Sequence, residues 1–274
     1  MNQSFLKMHG AGNDFVVFDA RRKSIKLNTA KVKQLADRRY GIGCDQLLLL
    51  ENTSNADVFM RIYNADGSES PACGNAERCV AWLLMEEKGR QQVTVETRAG
   101  VLRCEDKFEI DGQVYVRADI GEPRVKWSEI PLALEADTLH LGLTMDSLED
   151  PVGVSMGNPH AVFFVPDADA IDLRTLGPRI ENHPMFPERV NVSVAQMIGP
   201  EHIKLRVWER GAGETLACGT AACATLVAAV RRGLGGRNAK VFVPGGMLGV
   251  EWRDDNHVWL LGPVAMSFKG TIEL

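Results

Sequence analysis

Two cysteines sit in the same short setting, Ala72-Cys73-Gly74 and Ala217-Cys218-Gly219, 145 residues apart. Each precedes a run with helical spacing. Ala76, Cys79, Val80, Leu83 and Leu84 recur at i, i+3, i+4, i+7 and i+8 before Lys88-Gly89. Thr220 to Arg232 is apolar nearly all round and ends at Gly233, which predicts a deeply buried helix. Both cysteines therefore fall at helix N-termini, where unpaired N–H groups and the helix dipole favour an anion. A thiolate is such an anion, so a lowered thiol pKa and a usable base are expected at both positions. The glycine after each leaves room for a ligand against the backbone. The same N–H groups suit a carboxylate, and they would stabilise the charge that collects there when a proton leaves the adjacent carbon. The competing reading is plain packing, since cysteine is among the most buried residue types. Cys44, Cys79, Cys104 and Cys223 lack this setting, and for them packing is the expectation.

The two cysteines belong to a duplication. Arg61–Ala76 laid over Arg206–Ala221 gives six identities in sixteen positions and three close exchanges. At the same offset Gly12-Asn13 falls on Gly157-Asn158 and Gln46 on Asn191, and with one extra residue Val93–Leu102 falls on Ala239–Leu248. Alternating runs such as 93–97, 114–120 and 203–208 read as strands, with turn signals at Asp66-Gly67, Asp111-Gly112 and 244–246. Besides the two central helices, Thr29 to Arg39 reads as helical. The fold class expected is α+β: two similar α/β halves, each a strand-rich layer wrapping a central helix. The halves are drawn at 1–122 and 123–263, with 264–274 left over.

Where the halves differ, substrate asymmetry is expected. Asn64 is replaced by Glu209, Ala65 by Arg210 and Phe15 by His160. The second half thus adds an imidazole and a carboxylate, either able to exchange a proton with a thiol, and a guanidinium able to grip a carboxylate bidentately. Each has a bland counterpart, a packed histidine or a solvated ion pair at a strand edge. Met156-Gly-Asn-Pro-His160 reads as a tight turn that aims the imidazole, and Glu209-Arg210 lie in a glycine-rich loop upstream of Cys218; both favour function. Asn13, Gln46, Asn158 and Asn191, neutral amides in corresponding places, suggest a polar substrate cage.

Composition narrows the classes. A formal charge of −5, with no basic run longer than three residues, argues against nucleic acid as a partner. The longest apolar-looking run, Ala221 to Val230, is too short for a membrane span. MNQSFLKMHG lacks a secretory apolar core, so the cytoplasm is the expected compartment and no membrane is involved. Cys73 and Cys79 are six apart, Cys218 and Cys223 five apart, and no His-x3–5-His occurs; that spacing fits zinc poorly, and no metal is expected. Phosphate, dinucleotide and nucleophile-elbow motifs are missing.

With these residues in hand, Lys7–Phe15, Asn64–Glu69, Cys73-Gly-Asn75, Met156–His160, Glu209–Thr215 and Ala217-Cys-Gly219 closely resemble diaminopimelate epimerase, from residue 5 to the C-terminus. The resemblance implies a cofactor-independent isomerase that interconverts LL- and meso-diaminopimelate, for lysine and cell-wall synthesis. It implies an active site in the cleft between the halves, and a C-terminal strand that returns to the first half. Carried over, Cys73 and Cys218 are the acid/base pair, tuned by His160 and Glu209. Asn13, Gln46, Asn64, Gly74, Asn75, Asn158, Asn191, Glu209, Arg210, Gly219 and Thr220 contact substrate. Assembly as a homodimer is compatible with it. The sequence departs from the family's usual pattern at Ala76-Glu77 and at Thr220-Ala221, which touches fine tuning. The rival readings are a proline or hydroxyproline racemase, a phenazine-type isomerase (which lacks the cysteine pair) and, from another class, a thiol redox or metal-binding protein.

Overall fold

The computed structural model describes residues 2–273. The chain divides into two compact units, Met1–Ala118 with Leu261–Leu274, and Asp119–Leu260. The division falls at 118/119 and 260/261, against 122/123 and 263/264 in the sequence reading.

In the first unit the strands are β1 (Asn2–Gly10), β2 (Asn13–Asp19), β3 (Gln46–Glu51), β4 (Val58–Asn64), β5 (Glu69–Ser70), β6 (Gln92–Thr97), β7 (Gly100–Ile110) and β8 (Gln113–Asp119). They pair in the order β1-β2-β3-β4-β6-β7-β8. The C-terminal strand, Val258–Glu273, lies beside β8 and runs antiparallel to β1, closing the ring. Closure leaves no open edge for another chain to pair with. Two-residue turns close the β1–β2 and β7–β8 hairpins. Ala11 and Gly12 have φ of 51° and 85°, and Asp111 and Gly112 have 51° and 76°; paired positive φ values match the right-handed strand twist. Helix α1 (Thr29–Ala36) starts at an Asn28 cap and packs on β1–β3 through Leu35 and Ala36. Helix α2 (Gly74–Lys88) buries nine residues, Asn75–Ala81 with Leu84 and Met85, and stops at Gly89 in the left-handed region. Its passage past the C-terminal strand requires Gly262, where a Cβ would lie 2.6 Å from the Arg78 guanidinium.

In the second unit β9 (Thr144–Met145) and β10 (Leu148–Glu149) form a small hairpin. The main strands are β11 (Val152–Ser155), β12 (Pro159–Phe164), β13 (Asn191–Gly199), β14 (His202–Glu209), β15 (Gly213–Thr215), β16 (Asn238–Val243) and β17 (Gly246–Trp252), ordered β11-β12-β13-β14-β16-β17 with β15 on β14. Residues 120–124 link the ends. Val258 exchanges backbone hydrogen bonds with Ile120 and Gly121, and Arg124 with Ser155, all at 2.9 Å. Helix α4 (Gly219–Arg231) buries Ala221–Ala229. Its small residues let it pack closely against surrounding strands.

The duplication holds at the level of register. Phe15 pairs with Gln46 across parallel β2–β3, and His160 with Asn191 across parallel β12–β13. Leu47 faces Tyr63, and Val192 faces Trp208; Ile62 faces Ser70, and Val207 faces Thr215. Every one of these pairs repeats 145 residues later. A one-residue slip would turn each side chain to the other face, so conserved register keeps equivalent residues on equivalent sides.

One helix was not read from the sequence. Helix α3 (Leu173–Glu181) contains Gly177-Pro178, which reads in isolation as a breaker. Tertiary packing overrides that signal, because a Cβ at residue 177 would meet the Trp208 ring at 2.5 Å; only glycine lets the helix lie on the indole. Among the described residues no helix is long and apolar enough to cross a membrane.

Candidate active site in two half-sites

Cys73 is the N-cap of α2, with extended backbone (φ −156°, ψ 105°) and no side-chain capping hydrogen bond. The sulfhydryl donates to Asn13 Oδ1 at 3.5 Å, and Asn75 Nδ2 donates to the same oxygen at 3.4 Å. Arg78 Nη2 in turn donates to Asn75 Oδ1 at 2.5 Å. A second amide chain runs alongside. Gln46 Nε2 donates to Asn64 Oδ1 (3.0 Å), Asn64 Nδ2 to Ser68 Oγ (3.0 Å), and Ser68 Oγ to Asp66 Oδ1 (2.6 Å). The carboxylate at the end can only accept, which fixes the direction of the whole chain. Gln46 Oε1 is thereby left as a buried acceptor with no donor among the described residues.

Cys218 is the N-cap of α4 in similar extended geometry (φ −129°, ψ 113°), and is 7% exposed. Glu209 ends β14; its carboxylate accepts from Thr215 Oγ1 on the β15 side of the hairpin and from the Cys218 sulfhydryl. Thr220 Oγ1 lies 3.5 Å from Cys218 Sγ and accepts from Asn158 Nδ2 at 3.3 Å. With that lone pair engaged, the Thr220 hydroxyl proton is free to point at sulfur. Asn158 Oδ1 faces His160 Nε2 at 3.0 Å, which assigns the proton of the neutral ring to Nε2. His160 is fully buried, and its Nδ1 has no partner among the described residues.

The sequence reading expected lowered thiol pKa values, and the structure corrects this. Burial pushes Cys73 up to about 12, and the charge of Glu77 adds to it; the Ala76 and Asn75 N–H groups pull the other way and lose. Cys218 is also pushed well up, by burial first and then by Glu209. Loss of hydration outweighs a helix terminus when the thiol is enclosed. Both cysteines therefore rest as thiols, and a thiolate requires a local base. Burial raises Glu209 as well, which suits it to take a proton. His160 moves down to about 3 through burial and the nearby Arg210 charge, so it is neutral at physiological pH. The other four cysteines are all buried, and none is in a disulfide.

Glu77 is a feature of the site that periodicity alone does not expose. It is 2% exposed on α2, and burial raises its carboxyl to about 7 against an ordinary 4.5. The folded chain thus holds a proton that the unfolded chain has lost above pH 4.5, so stability falls as pH rises through 7. Glu77→Gln is expected to raise Tm at pH 8, by on the order of 3 kcal/mol of stability, and to leave it nearly unchanged at pH 5. Melting curves at the two pH values check this.

The structure places Asn13, Cys73, Gly74 and Asn75 together in the first unit, with Gln46 hydrogen-bonded to Asn64. In the second it gathers Asn158, His160, Glu209, Cys218, Gly219 and Thr220. Asn191 stands differently: its amide donates to Pro159 O (2.9 Å) and accepts from Arg210 N (2.9 Å), binding β12 to the Glu209-Arg210 loop. Arg210 gives one Nη1 bond to Glu188 O at 2.9 Å, and no carboxylate pairs with it among the described residues. Sequence reasoning missed Glu181. It accepts from Trp208 Nε1 (2.7 Å), Gly211 N (2.9 Å) and Arg189 Nη1 (3.1 Å) and so braces that loop from α3. It ends a helix, α3, that was not among those read from the sequence. No group of three or more His, Cys, Asp or Glu side chains among the described residues is placed to hold a metal ion.

The family profile described as diaminopimelate epimerase matches residues 5–126 and 152–267. The chain is 56% identical over 274 residues to a curated protein named diaminopimelate epimerase from Rhodospirillum centenum, covering 99% of this chain and 93% of that one. It is 52% identical over 269 residues to the protein of that name from Acidiphilium cryptum, covering 98% and 96%. Among solved structures, a PhzF-family phenazine biosynthesis protein from Bacillus anthracis superposes with a TM-score of 0.69 at 15% identity over 100% of both chains. A hydroxyproline epimerase from Agrobacterium vitis, with bound trans-4-OH-L-proline, gives 0.67 at 15% identity, covering 100% of this chain and 93% of that one. At such identities these two show a shared fold alone.

Proposed function

Since this chain belongs to the diaminopimelate epimerase family, an isomerase family, we propose that it interconverts LL- and meso-diaminopimelate by proton transfer between two thiols and one α-carbon. The observation that carries this reading is a cysteine at the N-cap of each central helix, in register-matched halves whose proton partners differ. Cys218 hands its proton to Glu209, and the thiolate accepts a hydrogen bond from Thr220. The thiolate removes the α-proton from one face of the substrate. Cys73, still a thiol, then delivers its proton to the opposite face. Configuration inverts, Cys218 ends protonated, and Cys73 ends as the thiolate; Glu209 then gives its proton to solvent and Cys73 takes one from solvent, which resets the enzyme for the next forward turnover. In the reverse direction Cys73 begins as the base. N–H groups at the helix starts, around Gly74 and Gly219, hold the reacting carboxylate and stabilise charge as it builds there.

The remaining groups read the rest of the amino acid. Asn13 Oδ1 and the unpartnered Gln46 Oε1 accept from a substrate ammonium, and Asn64, Asn75 and Asn158 keep those acceptors and the thiols oriented. Arg210, with nitrogen donors not used by protein carboxylates, grips the second carboxylate. His160 stays neutral and offers Nδ1 as an acceptor. The chemistry asks for no pyridoxal phosphate or metal, and six cysteines outside any disulfide suit the cytoplasm.

Proton NMR in D2O tests the reading. The α-proton signal of LL- and meso-diaminopimelate is expected to wash out with enzyme, while those of proline and alanine persist. Washout from proline with diaminopimelate inert would favour a proline-type racemase. No washout from any of them, with reversible thiol oxidation instead, would favour a redox protein.

A further inference from the structure

Asp45, immediately before β3, makes no hydrogen bond to Cys73, yet the amide that meets Cys73 is oriented from it. Its Oδ2 accepts from Asn13 Nδ2 at 3.0 Å and from Asp14 N at 3.1 Å, and its Oδ1 accepts from Arg38 Nη2 at 2.7 Å. Its own backbone N–H donates to Asp14 Oδ1 at 2.9 Å. Asp14 is clamped by Arg38 through both carboxylate oxygens (2.7 and 2.9 Å) and by Lys7 at 2.6 Å. That clamp holds Asp14 far below the usual carboxylate range despite burial. The Asp45 carboxylate therefore sits in a braced position on a two-acid, two-base cluster.

An asparagine amide has a donor end and an acceptor end, and only its partners decide which way it points. A carboxylate paired with Arg38 accepts and does not donate, so Asn13 must turn its NH2 toward Asp45. Its carbonyl then faces Cys73 Sγ and Asn75 Nδ2. The far end is fixed in the same way, because Arg78 can only donate to Asn75. An amide carbonyl at sulfur stabilises S–H and opposes a thiolate. We propose that Asp45 is a positioning residue for Cys73: it holds the Asn13 carbonyl toward the sulfur, which adds to burial in keeping this thiol protonated in the free enzyme, ready to donate. This rests on Cys73 being a proton-transfer group, and it adds how the resting state is set.

Other charged or titratable groups on the elements around Cys73 are Glu77, Arg78 and Cys79 on α2, Lys7, His9 and Asp14 on the β1–β2 hairpin, and Arg38 before β3. The test must separate amide orientation from their plain electrostatics. The measurement is the pH profile of iodoacetamide alkylation, resolved by peptide mapping, with Cys218 in the same molecule as the control. In Asp45→Asn the new side chain can donate, which leaves only the long Asn75 Nδ2 contact, at 3.4 Å, to oppose the Asn13 amide turning its NH2 to sulfur. The Cys73 profile is expected to move down by about one pH unit, roughly a tenfold gain in rate at fixed pH, with Cys218 unmoved. Asn13→Ala removes the carbonyl without touching the ion cluster and should move Cys73 in the same direction. Adding Asp45→Asn to Asn13→Ala should then change nothing further. Arg38→Gln, which keeps the carboxylate, should not lower the profile. Should Asp45→Asn not fold, Asn13→Ala alone decides. An unmoved Cys73 profile in these variants, or an Asp45→Asn shift that persists without Asn13, overturns the proposal. Thiol reactivity is read without substrate, so this outcome is distinguishable from failure of the epimerase reading.

Discussion

Replacing Cys73 or Cys218 by serine is expected to lower kcat for diaminopimelate epimerisation by about a thousandfold or more, while Tm stays level or rises. General acid–base contributions run to about 10²–10⁴-fold. Here one group is needed on each face of the carbon, so losing either interrupts the same reaction. A serine hydroxyl is a far weaker acid than a thiol, and neither Glu209 nor a helix terminus can bring it into range. The fold gives the experiment its control. Both cysteines occupy N-cap positions without a side-chain capping bond, and serine is among the preferred N-cap residues. The substitution therefore suits the helix while disabling the chemistry, and a loss of activity cannot be assigned to unfolding. Turnover like that of the unmodified enzyme in either variant, at unchanged Tm, would refute the two-thiol mechanism.

Arg210→Ala is expected to cost about 2–5 kcal/mol in kcat/KM for diaminopimelate, a fall of roughly 30-fold to a few thousandfold. Removing the guanidinium leaves the distant carboxylate without its charged partner, and orientation of the α-carbon suffers with it. The backbone of Arg210 is fixed by Asn191 and one guanidinium nitrogen by Glu188 O, so the side chain is already aimed in the free protein. Arg210→Lys should recover little, because a lysine ammonium cannot reproduce the planar bidentate grip. Lysine, which lacks the second carboxylate, should be a very poor substrate for the unmodified enzyme and lose little further in the variant. Steady-state kinetics with diaminopimelate and lysine on the three proteins check this. Equal kcat/KM for diaminopimelate with and without Arg210 would overturn the role of this residue and leave the proton chemistry standing.

Much of the architecture could be read before any coordinates. The 145-residue offset between Ala72-Cys73-Gly74 and Ala217-Cys218-Gly219 reappears as a shared strand register, because equivalent residues must keep equivalent faces for either half to bury its helix. Apolar spacing located α2 and α4, and Gly89 ended α2 as composition foretold. Helix α3 was not among the helices read from the sequence: Gly177-Pro178 interrupts its local signal, and what makes that pair fit a helix is Trp208, thirty residues downstream, whose ring fills the space a side chain would need.

Local sequence placed both thiols at helix N-termini and named the amides in corresponding places, since capping and periodicity act over a few residues. It could not tell that the thiols rest protonated. Desolvation depends on everything packed around a group, and that sum outweighs the neighbouring N–H groups at Cys73 and Cys218. Nor could it tell which end of each amide faces its cysteine or its neighbour. Asn13 takes its direction from Asp45 and Gln46 from Asp66, through contacts that only the folded chain brings within hydrogen-bonding range. Residue types and spacing thus determined what chemistry was on offer, while tertiary structure decided protonation and direction, because both are set by distance in space and by exclusion of water.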